Sequence, residues 1–195
     1  PVARQADQSA APLSLMQQRL WVQEQMHPEA TGFLLPSAFR LRGPLDARAL
    51  GCALADMVER QPALRTWLHA HDDGVEQRVA PRVEVALPLE DLSEIAAGQR
   101  EEELARRIDA LIVAPIDTAR APLFRLRLYR LAAHEHVLYF QVHHAVWDGV
   151  SFGLFRQEMA QLYAAHADGP APSLPALERS YVDFAAWHVA QADSP

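Results

Sequence analysis

Two adjacent histidines, followed closely by an aspartate and a glycine, are the residues in this sequence best suited to chemistry. They are His143, His144, Asp148 and Gly149. An imidazole accepts or donates a proton near neutral pH, and a nearby carboxylate orients it or balances its charge. A glycine lets the backbone approach a reacting group, where its N–H can stabilise an oxyanion. The spacing therefore indicates a catalytic or binding site.

The residues before the histidines predict the strand that presents them. Residues 137–142 read Val-Leu-Tyr-Phe-Gln-Val, a run of β-branched and aromatic side chains that is typical of a buried strand. Neighbouring strand residues point to opposite faces of a sheet. Only one imidazole can therefore enter a given cavity, and the other must face packed protein or a polar partner of its own.

The use of charged residues and cysteine excludes several classes of chemistry. The 195-residue chain has a formal net charge of −7, and all 18 of its basic residues are arginines. Nucleic acid is not expected as a partner, because phosphate binding needs a clustered basic surface. The absence of lysine excludes a Schiff base, a Ser-Lys dyad and a phosphate-loop lysine. The single cysteine, Cys52, excludes an internal disulfide.

Length and hydropathy predict one domain with a substantial core, or two small ones. No apolar stretch reaches the roughly 18 residues of a membrane span, and residues 1–7 lack the apolar core of a signal peptide. We therefore expect a cytoplasmic location and no membrane partner. The pairs His69/His71 and His134/His136 have strand spacing, but no cysteine or carboxylate cluster accompanies them, so no metal site is predicted.

The order of the predicted elements indicates an α/β fold with a mixed sheet, rather than alternating βαβ units. Capping residues and apolar periodicity predict the helices, and alternation predicts the strands. Helices are predicted over residues 15–26, after the cap Asp46, over about 99–113, from Ser151, and over 181–190. Strands are predicted over residues 33–41, 64–68, 75–79, around 83–87, over 124–128, and up to His143.

Four motifs, in order along the chain, resemble those of nonribosomal peptide synthetase condensation domains, which belong to the chloramphenicol acetyltransferase-like superfamily. Residues 143–149 resemble the family's His-His-x-x-x-Asp-Gly signature, and residues 14–21 its Ser-x-x-Gln-x-Arg-Leu-Trp motif. Residues 60–66 resemble Arg-His-Glu-x-Leu-Arg-Thr, with Gln-Pro in place of His-Glu. Residues 181–187 resemble Tyr-x-Asp-Tyr-Ala-x-Trp. All four together are far more specific than any one of them.

The resemblance implies a fold and a division of the chain. It implies a chloramphenicol acetyltransferase-like mixed-sheet α/β sandwich that forms one lobe of a two-lobed, V-shaped domain. Because such domains are about twice this length, the C-terminal lobe is missing here. We therefore predict a linker over residues 1–12, the N-terminal lobe over 13–177, and a connector with the first helix of the C-terminal lobe over 178–195.

The reaction implied by the resemblance is acyl transfer. An amine on one phosphopantetheine arm attacks a thioester on another and forms an amide, with no cofactor bound directly by the domain. The implied partners are donor and acceptor carrier proteins, the C-terminal lobe and neighbouring synthetase modules. His144 would act on the amine, Gly149 could offer its N–H to the oxyanion, and Asp148 would pair with an arginine, unless it serves only as a helix cap. The supporting residues would be His143, Arg19 and Arg65.

Two other functions remain open from the sequence. One is a catalytically silent relative that recruits a partner enzyme. The other is an acyltransferase that uses a soluble acyl-CoA, although such an enzyme is not expected to carry the other three motifs. Trp147, where the family often has serine, is expected to narrow the cavity beside His144.

Overall fold

Seven strands and five α-helices form within residues 1–192, the part of the chain that the computed structural model describes. The end of the predicted segment 178–195, residues 193–195, lies outside the described residues. The strands are β1 (Ala10–Pro12), β2 (Leu34–Arg42), β3 (Thr66–His71), β4 (Gly74–Val79), β5 (Leu89–Asp91), β6 (Phe124–Ala132) and β7 (Glu135–His143). The helices are α1 (Leu15–Met26), α2 (Ala47–Arg60), α3 (Ala97–Ile112), α4 (Gly149–His166) and α5 (Tyr181–Ala192). None of these helices is long and apolar enough to cross a membrane.

The larger sheet has four strands in the order β2-β7-β6-β5 and carries the histidines at the end of β7. β7 pairs antiparallel with both neighbours, so that His143 lies opposite Leu34 of β2 and Val142 lies opposite Phe124 of β6. β5 runs parallel to β6. The predicted mixed sheet is therefore confirmed.

Helices cover both faces of this sheet and bury β7 from His136 to His143. Leu138, Phe140 and Val142 of β7 pack in the larger core cluster with α2 and α4. Val137 and Tyr139, which alternate with them, pack on the other face with α3. A strand buried on both faces needs a nearly continuous apolar run, as this sequence has. The predicted α/β sandwich is confirmed.

Two predicted strands have a different structure. Residues 62–65 form a 3-10 helix with Pro62 in its first turn, so β3 begins only at Thr66. Proline fixes φ at a helical value and favours this start. The alternating residues Val83, Val85 and Leu87 pack against the core without pairing to another strand. Alternation shows that one face of an extended segment is buried, but it does not require a partner strand.

The segment predicted to be a linker is held by the rest of the chain. Residues 10–12 form β1, which pairs antiparallel with β4 in the smaller sheet. Asp183 of α5 is fully buried, and its carboxylate accepts hydrogen bonds from the backbone N–H groups of Gln5 and Ser180 and from Gln8 Nε2, each at 2.7 Å. Burial raises the pKa of Asp183, but these hydrogen bonds outweigh burial and lower it below its usual value. The prediction of a linker is therefore wrong for this part of residues 1–12.

Replacing the buried carboxylate of Asp183 should loosen this attachment. Asp183→Ala leaves three donors without their acceptor, so we expect a loss of about 2–3 kcal/mol in the free energy of unfolding. Urea denaturation of the 195-residue chain measures this loss. The matched control is Glu102→Ala, which removes an exposed carboxylate from α3. An equal effect of both substitutions would contradict the prediction.

Candidate active site

Backbone hydrogen bonds on both sides fix the point where β7 ends. The N–H of His143 donates to the carbonyl of Leu123, and the N–H of His144 donates to the carbonyl of Phe33, each at 2.8 Å. The N–H of Val146 then donates to the carbonyl of His143 at 3.1 Å and closes a turn. The loop over residues 143–148 therefore begins from a rigid position.

The two histidines point into different environments, as strand alternation predicts. His143 is only 1% exposed, and its Nδ1 accepts a hydrogen bond from the N–H of Ala145 at 3.1 Å. Because Nδ1 is the acceptor, the proton of the neutral ring is on Nε2, which lies 3.5 Å from Glu24 Oε1. His144 is exposed. The imidazole that solvent or a substrate can reach is therefore His144.

The loop backbone fixes the protonation pattern of His144. Its Nδ1 lies 2.7 Å from the carbonyl oxygen of Trp147. A carbonyl can only accept, so Nδ1 carries a proton, and the neutral ring keeps a free electron pair on Nε2. Within residues 1–192, no hydrogen bond occupies that nitrogen. His144 is thus arranged to accept a proton or to orient an amine.

Asp148 caps α4. Its Oδ1 accepts from the N–H of Ser151 at 2.8 Å and from the Ser151 hydroxyl at 2.6 Å, and these bonds lower the pKa of Asp148. The charge of His144 lowers it slightly further. Of the two roles expected for Asp148, the described residues show the helix cap: the first turn of α4 supplies the donors, and no arginine within residues 1–192 pairs with its carboxylate.

Gly149 is the first residue of α4 and lies at an open position. No atom comes within 4 Å of the place where its Cβ would be. The first N–H groups of a helix have no partner inside the helix and carry partial positive charge. The N–H of Gly149 is one of these groups, and the residue is exposed.

The side chain of Trp147 does not narrow the space beside His144, so that expectation is wrong. The indole is 8% exposed and packs edge-on against Phe140 at 5.3 Å and Phe155 at 5.8 Å between ring centroids. This apolar cluster removes more indole surface from water than a position in the site would. Trp147 contacts His144 through its backbone carbonyl, which accepts a hydrogen bond from His144 Nδ1.

Gln17 is a site residue that the sequence reasoning missed. It is 1% exposed on α1, and its Nε2 donates to the carbonyl of Ala145, in the histidine loop, at 3.0 Å. Its Oε1 accepts from the N–H of Ser14 at 3.0 Å, and the Ser14 hydroxyl lies 2.9 Å from the Tyr181 hydroxyl. The glutamine of the first motif was the available signal. This motif therefore braces the histidine loop and contacts the last motif.

The two arginines expected to support the fold differ in their contacts. Arg65 donates to the carbonyls of Val58 at 3.1 Å and Glu59 at 3.3 Å, and also to that of Ala80. It therefore joins the end of α2 to the chain after β4. Arg19 is exposed, and no hydrogen bond or ion pair joins it to another residue in the part described. A supporting role for Arg19 stays a prediction.

No group of three or more histidine, cysteine or acidic side chains in residues 1–192 is placed to hold a metal ion. The rings of His69 and His71 do lie on one side of β3, with centroids 6.0 Å apart. A catalytic zinc site uses three protein ligands, and these two imidazoles supply only two.

The cap at Asp148 should contribute stability that depends on pH. Asp148→Ala is expected to lower the free energy of unfolding by about 1 kcal/mol near neutral pH. The pKa of Asp148 is lower in the folded chain than in the unfolded chain. The charged carboxylate therefore contributes its full stabilisation at pH values above the pKa of the unfolded chain. This contribution is lost as the pH falls through the lower pKa of the folded chain. Urea denaturation at neutral and acidic pH tests this, with Asp148→Ser as a control that keeps an uncharged cap. A pH-independent effect of Asp148→Ala would contradict the prediction.

Comparison with known proteins assigns the chain to a family. The family model described as Condensation domain matches residues 7–195. One of the subunits that make up linear gramicidin synthase from Brevibacillus parabrevis is 37% identical over 187 residues, which cover 96% of this chain and 4% of that protein. Surfactin synthase subunit 1 from Bacillus subtilis (strain 168) is 34% identical over 181 residues, covering 93% of this chain and 5% of that protein. The chain thus spans a small part of these curated relatives.

Solved structures share the fold over nearly all of this chain. The first condensation domain of the calcium-dependent antibiotic synthetase, in complex with a substrate analogue, is 27% identical with a TM-score of 0.84, over 95% of this chain and 44% of that one. The X-domain in complex with OxyB from teicoplanin biosynthesis is 30% identical with a TM-score of 0.84, over 98% of this chain and 40% of that one. This chain belongs to the condensation domain family of nonribosomal peptide synthetases.

Proposed function

We propose that this chain is the N-terminal lobe of a condensation domain that forms an amide between two carrier-bound substrates. The donor is an acyl thioester and the acceptor is an amine, each on the phosphopantetheine arm of a carrier protein. The observation that supports this proposal most strongly is His144, an exposed imidazole at the end of a buried strand whose Nδ1 donates to the Trp147 carbonyl. Its Nε2 is therefore free to accept a hydrogen bond from the amine.

The described groups support a specific sequence of steps. Nε2 of His144 orients the amine or takes its proton as the nitrogen attacks the thioester carbon, which contributes about 10²- to 10⁴-fold in rate. The thioester oxygen becomes an oxyanion, to which the N–H of Gly149 at the start of α4 can donate. Collapse of this intermediate breaks the C–S bond, and the departing thiolate takes the proton. The carboxylate of Asp148 caps α4 and thereby helps to position the Gly149 N–H.

A second lobe is part of this proposal. Beside the site, Val150 of α4 is 72% exposed and Leu154 is 53% exposed. Exposed apolar side chains grouped in one region mark an interaction surface. We propose that residues 13–177 form the N-terminal lobe, that residues 178–195 lead into the C-terminal lobe, and that this lobe covers the surface around α4. Neighbouring modules and carrier proteins complete the assembly, and a cytoplasmic location stays a prediction.

A recruitment role is the second candidate. The 30% identity to an X-domain solved in complex with OxyB favours it, because that likeness is as extensive as the likeness to condensation domains. Under this alternative, the same fold would bind a partner enzyme and His144 would have no part in turnover. Amide formation separates the two candidates.

The central experiment uses the complete two-lobed protein with loaded donor and acceptor carriers. His144→Ala is expected to lower the rate of amide formation, followed by mass spectrometry, by at least about 10²-fold, because the group that orients the amine is lost. The control is His134→Ala, which removes an exposed imidazole at the opposite end of the same hairpin. An undiminished rate for His144→Ala would refute the catalytic assignment. Binding of a partner enzyme without amide formation would support recruitment.

The 195-residue chain alone should show no turnover. Under this proposal the chain supplies one wall of the site, so water would reach the exposed His144 and the substrates would not be held together. The measurement compares amide formation by this chain and by the complete domain, with the same loaded carriers. Turnover by the isolated chain would contradict the two-lobed site.

A further inference from the structure

The buried imidazole of His143 has a proton that needs an acceptor. Its Nδ1 accepts from the N–H of Ala145, so its proton is on Nε2. This nitrogen is buried and makes no hydrogen bond of ordinary geometry within residues 1–192. A buried N–H without an acceptor is destabilising, and native structures rarely leave one unpaired. The carboxylate oxygen Oε1 of Glu24 lies 3.5 Å away.

Glu24 is placed for this role by the same helix that braces the loop. Gln17 and Glu24 are seven residues apart on α1, which is two helical turns, so they lie on one face. Gln17 donates to the carbonyl of Ala145, and Glu24 faces the ring of His143. The Glu24 side chain is 19% exposed, and its Oε2 is buried without a hydrogen bond in the described part. No described arginine pairs with the Glu24 carboxylate, and the nearest partner for it is the imidazole of His143.

We propose that Glu24 is a positioning residue that acts through His143. Its carboxylate accepts the Nε2 proton and thereby holds the tautomer in which Nδ1 is an acceptor for the N–H of Ala145. This bond holds the turn that carries His144. The separation of 3.5 Å is at the upper limit of a hydrogen bond, and the rotatable bonds of the glutamate side chain allow it to shorten.

The opposite tautomer of His143 shows why the acceptor matters. With the proton on Nδ1, two N–H groups would face each other at the present 3.1 Å between Nδ1 and the Ala145 nitrogen. The turn would open to separate them. The Trp147 carbonyl, which accepts the proton of His144 Nδ1, lies in the same short loop and would move with it. A displacement of about 1 Å at a reacting group can reduce a rate about 10²-fold.

The experiment uses the complete two-lobed domain and two independent measurements. Glu24→Met keeps the size of the side chain but removes both acceptors, and Glu24→Gln keeps one amide oxygen that can accept the proton. Glu29→Met, at an exposed position just after α1, is the matched control for the lost charge and the added apolar group. Nitrogen-15 NMR of labelled histidine rings reports which nitrogen of His143 carries the proton. Steady-state amide formation gives kcat and KM, and this part of the test rests on the proposed function.

We expect Glu24→Met to mix the two tautomers of His143 and to lower kcat by about 10- to 100-fold with KM little changed, because the reacting group is displaced. Glu24→Gln should keep the wild-type tautomer and most of kcat, and Glu29→Met should match the wild type. An unchanged tautomer or an unchanged kcat in Glu24→Met would overturn the proposal. Should Glu24→Met fail to fold, Glu24→Ala, which adds no apolar surface, is judged by the same two results.

The two measurements separate this inference from the proposed function. If the wild-type domain forms no amide, the proposed function fails, while the NMR measurement still decides whether Glu24 sets the tautomer of His143. If the wild type forms the amide and the tautomer of Glu24→Met is that of the wild type, the positioning role fails alone.

Discussion

The hydrogen bond from the N–H of Ala145 to the imidazole of His143 is the constraint on which the site depends. It turns the chain back at the end of β7, so that the carbonyl of Trp147 can accept the proton of His144 Nδ1. The indole of Trp147 is meanwhile packed between aromatic rings of the core. The carbonyl that sets the proton on His144 therefore has the rigidity of the core, since close-packed side chains resist displacement.

Residues distant in sequence support this turn from outside. Gln17 of α1 binds the Ala145 carbonyl, and the Ser14 hydroxyl that caps α1 contacts Tyr181 of α5. Asp183, in the same helix as Tyr181, holds the N-terminal segment through Gln5. The first and last motifs thus support the geometry of the central one. This explains physically why motifs with no group at the reacting position accompany the histidines along the chain.

Local patterns predicted much of the fold, because they reflect forces that act within one element. The apolar run before His143 predicted a strand buried on both sides, and the capping residues Ser14 and Asp46 marked where two helices begin. The small, polar residues before Leu13 gave no such signal, since β1 forms only because β4 offers it a partner. For Asp148 the sequence left an arginine pair and a helix cap open, and the cap forms because α4 begins at the next residue.

At the site, too, local sequence patterns predict the orientation of residues within one element but not the contacts between elements. Alternation along β7 predicted that His143 and His144 would face apart, and the structure buries the first and exposes the second. Alternation carries no information about Gln17 or Glu24, which contact the loop although they are more than 100 residues away in the chain.

In the proposed reaction this lobe contributes a base, His144, whose tautomer is fixed before substrate arrives, so no reorganisation is needed at its Nε2. An exposed imidazole is still hydrated, however, and one helix N–H is a sparse oxyanion site. In the proposed two-lobed domain, exclusion of water and alignment of the two arms would come from the opposing lobe, and the interface between the lobes would be part of the chemistry.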